Sequence, residues 1–162
     1  MKCIDLYAWY PARKHARNRE PTRPVIGITN YDYCTKKYWL IGEVDHKYID
    51  LDKVKPLCYM IVETAKGYHL YFKEWCDNPL TVIHYAIKKY KFLDKHHLYM
   101  GLRRYRKTGN KKNAFLVLRV SPKYREPDLR IIYFDDNAPE WFRQVKKLIT
   151  FLNQPLITFL NS

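Results

Sequence analysis

The chain has 162 residues, a formal net charge of +14 and a pI near 9.6. This length suits one domain with a sizeable core, so no disulfide is needed for folding. No apolar stretch approaches the ~20 residues that span a membrane, and the N-terminus lacks the apolar centre of a signal peptide. We therefore expect a cytoplasmic protein with no membrane partner.

The charge comes from 30 Lys and Arg residues against 16 Asp and Glu residues. A surplus of this size favours a polyanionic partner such as nucleic acid. The 15 Tyr, 7 Phe and 4 Trp residues add aromatic faces on which bases can stack. Life in a hot environment also enriches Lys, but it enriches Glu as well, and that balance is missing here.

Cysteine usage points to an intracellular protein. Cys3, Cys34, Cys58 and Cys76 are widely spaced, without a Cys-x-x-Cys pair or the ligand spacing of a zinc site. We therefore predict four reduced thiols, with Cys58 and Cys76 in the core.

The segment Pro11–Pro24 has no apolar periodicity and carries five basic residues between prolines. They are Arg13, Lys14, Arg17, Arg19 and Arg23. We predict an exposed basic loop over residues 11–24. A solvated loop and a loop that contacts substrate are both open at this point.

A strand-like pattern begins at Tyr38–Asp45 and continues in Leu57–Ala65 and Gly67–Phe72. Because only Lys66 and Gly67 separate the last two segments, they should form a tight hairpin in which Gly67 supplies backbone freedom.

The second half of the chain mixes helical and strand-like patterns. In order, these are helices at Pro79–Leu93 and Asp94–Lys107, strands at Ala114–Val120 and Leu129–Asp135, and a C-terminal helix at 138–153 capped by Asn137. The order predicts a single α+β domain in which a mixed or antiparallel sheet is flanked by helices, with residues 38–135 as its core. The chain has no glycine-rich phosphate loop.

Glu43 and Asp45 lie at positions i and i+2 of a strand, so their side chains share a face. Two neighbouring carboxylates repel each other, and hard cations such as Mg²⁺ or Mn²⁺ relieve that repulsion. Simple solvation at the strand end is the alternative. His69 follows the predicted hairpin turn and can reach the same face.

These residues, together with Leu93-Asp94, resemble the three motifs of the archaeo-eukaryotic primase superfamily, over Trp39 to Tyr124. The family usually has two aspartates in its first motif, where this chain has Glu43-x-Asp45. It also has a small hydroxyl residue before Gly-x-His, for which Thr64 is an approximate match. LRVSPKY at Leu118–Tyr124 resembles a basic segment that follows in archaeal relatives.

The resemblance implies an RRM-like core and a DNA primase or primase-polymerase that copies a single-stranded DNA template from nucleoside triphosphates, with other primase subunits or a helicase as possible partners. The implied catalytic residues are Glu43, Asp45, Asp94 and His69, and the first three would bind two Mg²⁺ or Mn²⁺ ions. The implied nucleotide-binding residues are His69, Lys66, Arg119 and Lys123. The implied template- and primer-binding residues are Arg13, Lys14, Arg17, Arg103, Arg104 and Arg106.

Several alternatives stay open. Asp94 is also suited to cap the helix that follows it, and the other candidates for a third acid are Asp128, Asp135 and Asp136. Three other functions also compete. They are a non-catalytic primase accessory subunit, a rolling-circle replication endonuclease with Tyr85 as nucleophile, and a plain nucleic-acid-binding module. The endonuclease needs a His-hydrophobic-His motif, of which the chain supplies one histidine.

Overall fold

A computed structural model describes residues 1–10, 24–123 and 128–154. Its strands are β1 (Ile4–Trp9), β2 (Val25–Asp32), β3 (Lys37–Val44), β4 (Cys58–Glu63), β5 (Tyr68–Cys76), β6 (Val117–Arg119) and β7 (Arg130–Phe134). Its α-helices are α1 (Leu51–Val54), α2 (Pro79–Lys89), α3 (Lys95–Thr108) and α4 (Glu140–Leu152). None of these helices has the length and apolar character needed to cross a membrane.

The strands form one sheet in the order β1-β2-β3-β5-β4-β7, and β6 pairs with β2 outside that row. Every strand pair in the described ranges is antiparallel. The predicted α+β fold with helices flanking an antiparallel sheet is therefore confirmed. The predicted basic loop, with Arg13, Lys14 and Arg17, lies almost entirely outside the described residues.

Sequence reasoning missed β1 and β2, because it placed the first strand at Tyr38. The strand signal of β2 is weakened by Gly27, Asn30 and Asp32, which are residue types typical of turns. Gly27 is needed because a Cβ there would lie 2.6 Å from the Trp9 ring and 2.9 Å from the Leu118 carbonyl oxygen. β1 lies at the edge of the sheet, so much of it stays exposed and lacks clean alternation.

The sheet branches between β2 and β3. These strands pair only at Tyr31–Tyr38 and Asp32–Lys37, and β2 then pairs with β6. Asn30 is fully buried at the branch. Its Nδ2 donates to the Trp39 carbonyl oxygen at 2.9 Å, and its Oδ1 accepts from the Leu116 backbone N–H at 2.8 Å. The Asn30 side chain thus bridges β3 and the residue just before β6, two segments that do not pair with each other as strands.

Helices cover both faces of the sheet. On one face, Trp39 of β3 packs against Trp141 and Phe142 of α4, with ring centroids 6.5 and 4.8 Å away. On the opposite face, the side chain of Leu93 fills the space beside Gly42, between α2 and α3. These two layers hold β3 in place up to its C-terminal end.

The prediction of four reduced cysteines is wrong for Cys3 and Cys34, which form a disulfide with a Cα–Cα distance of 4.9 Å. The antiparallel pairing of β1 with β2 brings Cys3 beside the β2–β3 turn, where the Tyr33 backbone N–H donates to the Cys3 carbonyl oxygen at 2.9 Å. Sequence spacing could not reveal this contact. Cys58 is free and buried as predicted, whereas Cys76 is free but only half-buried.

Two predicted details at element ends also differ. The C-terminal helix has Pro139 as its N-cap residue and not the predicted Asn137, whose backbone N–H donates to Asp135 Oδ1 at 2.8 Å. The strand predicted at Ala114–Val120 is shortened to Val117–Arg119, since the residues before it form a 3-10 turn and then bond to Asn30.

Asn30→Ala should reduce the free energy of unfolding by about 2–6 kcal/mol, because it leaves the Trp39 carbonyl and the Leu116 N–H buried without partners. Urea unfolding followed by tryptophan fluorescence measures this. Asn137→Ala, at an exposed position, is the matched control and should change the free energy by less than about 0.5 kcal/mol. Equal effects of the two substitutions would contradict the role assigned to Asn30.

Candidate metal centre

Three carboxylates converge at the C-terminal end of β3. The side chains of Glu43, Asp45 and Asp94 each offer an oxygen, and these oxygens all lie within 4.8 Å of one another. Glu43 lies in β3 and Asp45 follows its last residue, and the Asp94 backbone N–H donates to the Glu43 carbonyl oxygen at 2.7 Å. That carbonyl is available because β2 has already left the edge of β3. The branch of the sheet therefore admits the third acid.

Asp94 has both of the roles considered for it. It is the N-cap of α3, where its Oδ1 accepts from the His96 backbone N–H at 3.0 Å, and it belongs to the carboxylate cluster. The other candidate acids are engaged elsewhere. Asp128 pairs with Arg119, and Asp135 forms an ion pair with Lys73 at 3.3 Å. Asp136 also lies outside the cluster.

Gly67 fixes the turn between β4 and β5 against the end of β3. A Cβ at Gly67 would lie 1.7 Å from the Val44 carbonyl oxygen. The glycine is thus required because the two backbone segments approach closely. Gly67 has no positive φ, so the prediction that it supplies backbone freedom is wrong. The connection is also longer than predicted and runs from Thr64 to Gly67. Thr64 Oγ1 accepts from the Gly67 backbone N–H at 2.9 Å, which gives the hydroxyl residue a structural role.

The neighbouring acids act on the pKa of Glu43. Burial, together with the charge of Asp45, its hydrogen bond and the charge of Asp94, raises the pKa of Glu43 to about 8, and the nearby Arg119 charge opposes the rise. A group of carboxylates that retains a proton near neutral pH is suited to exchange it for a divalent cation. The donor set consists of hard oxygen ligands, which fit Mg²⁺ or Mn²⁺.

His69 lies directly opposite Glu43 in the β3–β5 pairing, so the two side chains share a face of the sheet. Its side chain is buried, and burial together with the charges of Arg119 and His97 lowers its pKa to about 3. His69 is therefore a neutral imidazole at working pH. Its Nδ1 is buried and has no hydrogen-bond partner in the described part of the chain, which is uncommon for a polar atom in a protein interior.

Three cations lie near the acids. Burial lowers the pKa of Lys123, and the charges of Arg119 and Lys66 lower it further, whereas Asp128 and Glu43 act in the opposite direction. These effects put Lys123 within electrostatic range of Lys66, Arg119 and Glu43, and Arg119 is within range of Glu43 as well. Arg119 already donates to both Asp128 oxygens at 2.9 Å, which leaves the two lysines as the more available cations.

His97 is a member of the site that sequence reasoning missed. It follows Asp94 by three residues, which puts both on the first turn of α3. Its Nε2 lies 2.8 Å from the Val117 carbonyl oxygen, and its Nδ1 is buried without a partner among the described residues. Burial lowers its pKa, although the charges of Asp94 and Asp45 oppose this. The signal available in the sequence was the helical spacing from Asp94.

The residues predicted to bind nucleic acid differ in their exposure to solvent. Arg103 and Arg106 are exposed on α3. Arg104 is half-buried, with its guanidinium 4.3 Å from the centroid of the Phe115 ring. Arg13, Lys14 and Arg17 lie outside the described residues.

Comparison with known proteins gives no match to any family model, curated protein or solved structure. The resemblance to the archaeo-eukaryotic primases therefore stays a prediction that rests on the residues described above.

Glu43 makes a testable contribution to stability. Its pKa in the folded protein, about 8, exceeds its ordinary value of 4.5, so the folded state retains a proton that the unfolded state releases. Without metal, this contribution is fully present below pH 4.5 and is lost as the pH rises through about 8. Glu43→Gln should be more stable than wild type by about 1–4 kcal/mol at pH 9 and nearly equal at pH 5.

Unfolding by urea in EDTA across this pH range measures the effect. Glu63→Gln is the control of opposite sign. Burial tends to raise the pKa of Glu63, but hydrogen bonds from Arg130 and Lys47 outweigh it and lower that pKa. This variant should lose stability at high pH. Parallel pH profiles for wild type and Glu43→Gln would show that Glu43 is ionised and solvated.

Proposed function

We propose that this protein is a nucleotidyltransferase of the DNA primase or primase-polymerase type, which extends a primer on a single-stranded DNA template with Mg²⁺ or Mn²⁺. The observation that carries the proposal is the cluster of Glu43, Asp45 and Asp94 oxygens within 4.8 Å, with His69 opposite Glu43 on the same face. The order of these residues along the chain agrees with the motif order of that superfamily.

The charges around the cluster support a triphosphate substrate. Acids alone would repel it, but Lys123 lies in electrostatic range of Glu43, and Lys66 lies in range of Lys123, so these lysines would supply positive charge to phosphate oxygens. His69 is neutral and its ring is hydrogen-bonded to the Arg119 backbone, so its unpartnered Nδ1 can accept a hydrogen bond and adds no positive charge. When bound, Mg²⁺ or Mn²⁺ would polarise the phosphate and favour deprotonation of the attacking 3′-hydroxyl.

Each carboxylate has its own part in this arrangement. Glu43 and Asp45 would hold the cations from the end of β3, and Glu43 would give up the proton that it retains in the absence of metal. Asp94 is fixed by its backbone hydrogen bond to Glu43 and by its cap interaction with α3. Its position therefore depends on the fold and not on the metal.

A second candidate is a non-catalytic primase subunit with the same fold, and one contact favours it. Arg119 is neutralised by its two hydrogen bonds to Asp128, which weakens its ability to stabilise charge on a transferring phosphate. The endonuclease alternative gains no such support. The Tyr85 hydroxyl on α2 accepts from Lys89 Nζ at 2.7 Å, and it is not among the groups that perturb Glu43 or His69.

Incorporation of labelled nucleotides on primed and unprimed single-stranded DNA, with Mn²⁺ or Mg²⁺, tests the proposal. The double variant Glu43→Gln with Asp45→Asn should lose at least about 100-fold in rate, because the cluster supplies several kcal/mol of transition-state stabilisation. His69→Ala should also lose rate while it keeps affinity for single-stranded DNA. Asp135→Asn removes an acid outside the cluster and is the matched control, with activity close to wild type.

Calorimetry with Mn²⁺ separates the two candidates. Metal binding that disappears in the double variant, combined with no incorporation by wild type alone or with co-purifying subunits, would select the accessory subunit. Unchanged Mn²⁺ binding in the double variant would overturn the metal centre itself.

A further inference from the structure

An aromatic surface lies at the other end of α3 from the carboxylate cluster. We call the residues Tyr7, Trp9, Phe115 and Arg104 the aromatic patch. The Tyr7 ring centroid is 5.9 Å from that of Trp9 and 5.6 Å from that of Phe115. Arg104 stacks over Phe115 at 4.3 Å and donates to the Phe115 carbonyl oxygen. Tyr7 is 37 % exposed, so its ring is open to a further stacking partner.

The patch is continuous with the candidate metal centre. Tyr7 pairs with Gly27 on β2, and Gly27 pairs with Arg119 on β6. The three residues thus form one row across three strands, and Tyr7 and Arg119 share a face of the sheet about 10 Å apart. The middle position of this row is a glycine, and the Trp9 ring of the patch lies over it. On α3, His97 and Arg104 are two turns apart and both contact residues 115–117.

The charge beside the patch is uniformly positive. Residues 95–123 contain no Asp or Glu and nine Lys or Arg. Six of the basic residues are exposed and form no ion pair in the ranges that the structure describes, namely Lys95, Arg103, Arg106, Lys107, Lys111 and Lys112. Asp5, the acid nearest to Tyr7 in sequence, is bonded to Thr29 and Tyr33.

We infer that the aromatic patch is a stacking platform for a base of single-stranded DNA, whose phosphates lie along the basic surface of α3. Aromatic rings beside unpaired cations are the chemistry that binds single strands, because exposed bases stack and phosphates need counter-charge. A duplex keeps its bases stacked internally and offers Tyr7 no face. This inference rests on the proposed function in one respect, since the strand would be the template that enters the metal centre.

Fluorescence anisotropy in EDTA tests the platform, with a labelled oligothymidylate of about 12 nucleotides and a duplex of equal length. Tyr7→Ala should weaken single-strand binding by about 5- to 100-fold, and Tyr7→Leu should weaken it similarly, whereas Tyr7→Phe should bind like wild type. Tyr85→Ala removes a tyrosine of similar exposure on α2 and is the matched control, with unchanged affinity.

Salt dependence distinguishes stacking from phosphate contact. Tyr7→Ala should shift the plot of log affinity against log salt without changing its slope, because stacking releases no counterions. Arg103→Ala and Arg106→Ala should flatten that slope by about 0.7 for each phosphate contact that is lost. Thermal unfolding of each variant confirms that it is folded.

Wild-type protein gives an independent readout. An oligonucleotide with 5-iodouracil should cross-link to Tyr7, Trp9 or Phe115, as mapped by mass spectrometry. Equal affinity of Tyr7→Leu and Tyr7→Phe, or cross-links that avoid the patch, would overturn the platform. Because these measurements exclude metal and nucleotide, a platform without incorporation would reject the proposed function alone, and incorporation without the Tyr7 effect would reject the platform alone.

Discussion

The buried side chain of Asn30 allows one sheet to divide, and the candidate site occupies the space created by that division. If β2 continued alongside β3, the Glu43 carbonyl would be paired within the sheet and unable to accept from Asp94. Because Asn30 satisfies Trp39 and Leu116, β2 can turn to β6 without leaving buried polar groups unpaired. The same side chain therefore supports the core and admits the third carboxylate.

Glu43 and His69 lie opposite each other at this site, and the pKa of each is shifted toward the neutral form of the side chain. Glu43 keeps a raised pKa because burial and two neighbouring acids outweigh the opposing charge of Arg119. His69 loses its proton largely through burial, and nearby positive charge contributes to that loss. An arrangement of this kind costs stability in the absence of a ligand. A stability cost of this kind, with strongly shifted pKa values, is typical of functional sites.

Local sequence patterns were sufficient to predict the segments that have a clear apolar run or helical periodicity of their own. Glu43 and Asp45 followed a long apolar strand, and α2 and α3 had clear helical periodicity. The missed features all depend on contacts between distant segments. The disulfide between Cys3 and Cys34 requires the β1–β2 pairing, and that pairing was hidden by the turn-forming residues of β2. The contact of His97 with β6 exists only in the folded chain, although the helical spacing of His97 from Asp94 was readable in the sequence.

The tight contact at Gly67 has a consequence for the divergence of such chains. Any side chain at this position would collide with the Val44 carbonyl and displace the end of β3, whether or not the protein performs chemistry. Selection for folding alone would thus preserve Gly67 in descendants that had lost activity, whereas Glu43 and Asp45 would be free to change. In an alignment of homologues, an invariant Gly67 would therefore indicate a shared architecture, whereas invariant acids would indicate a shared use of the proposed metal site.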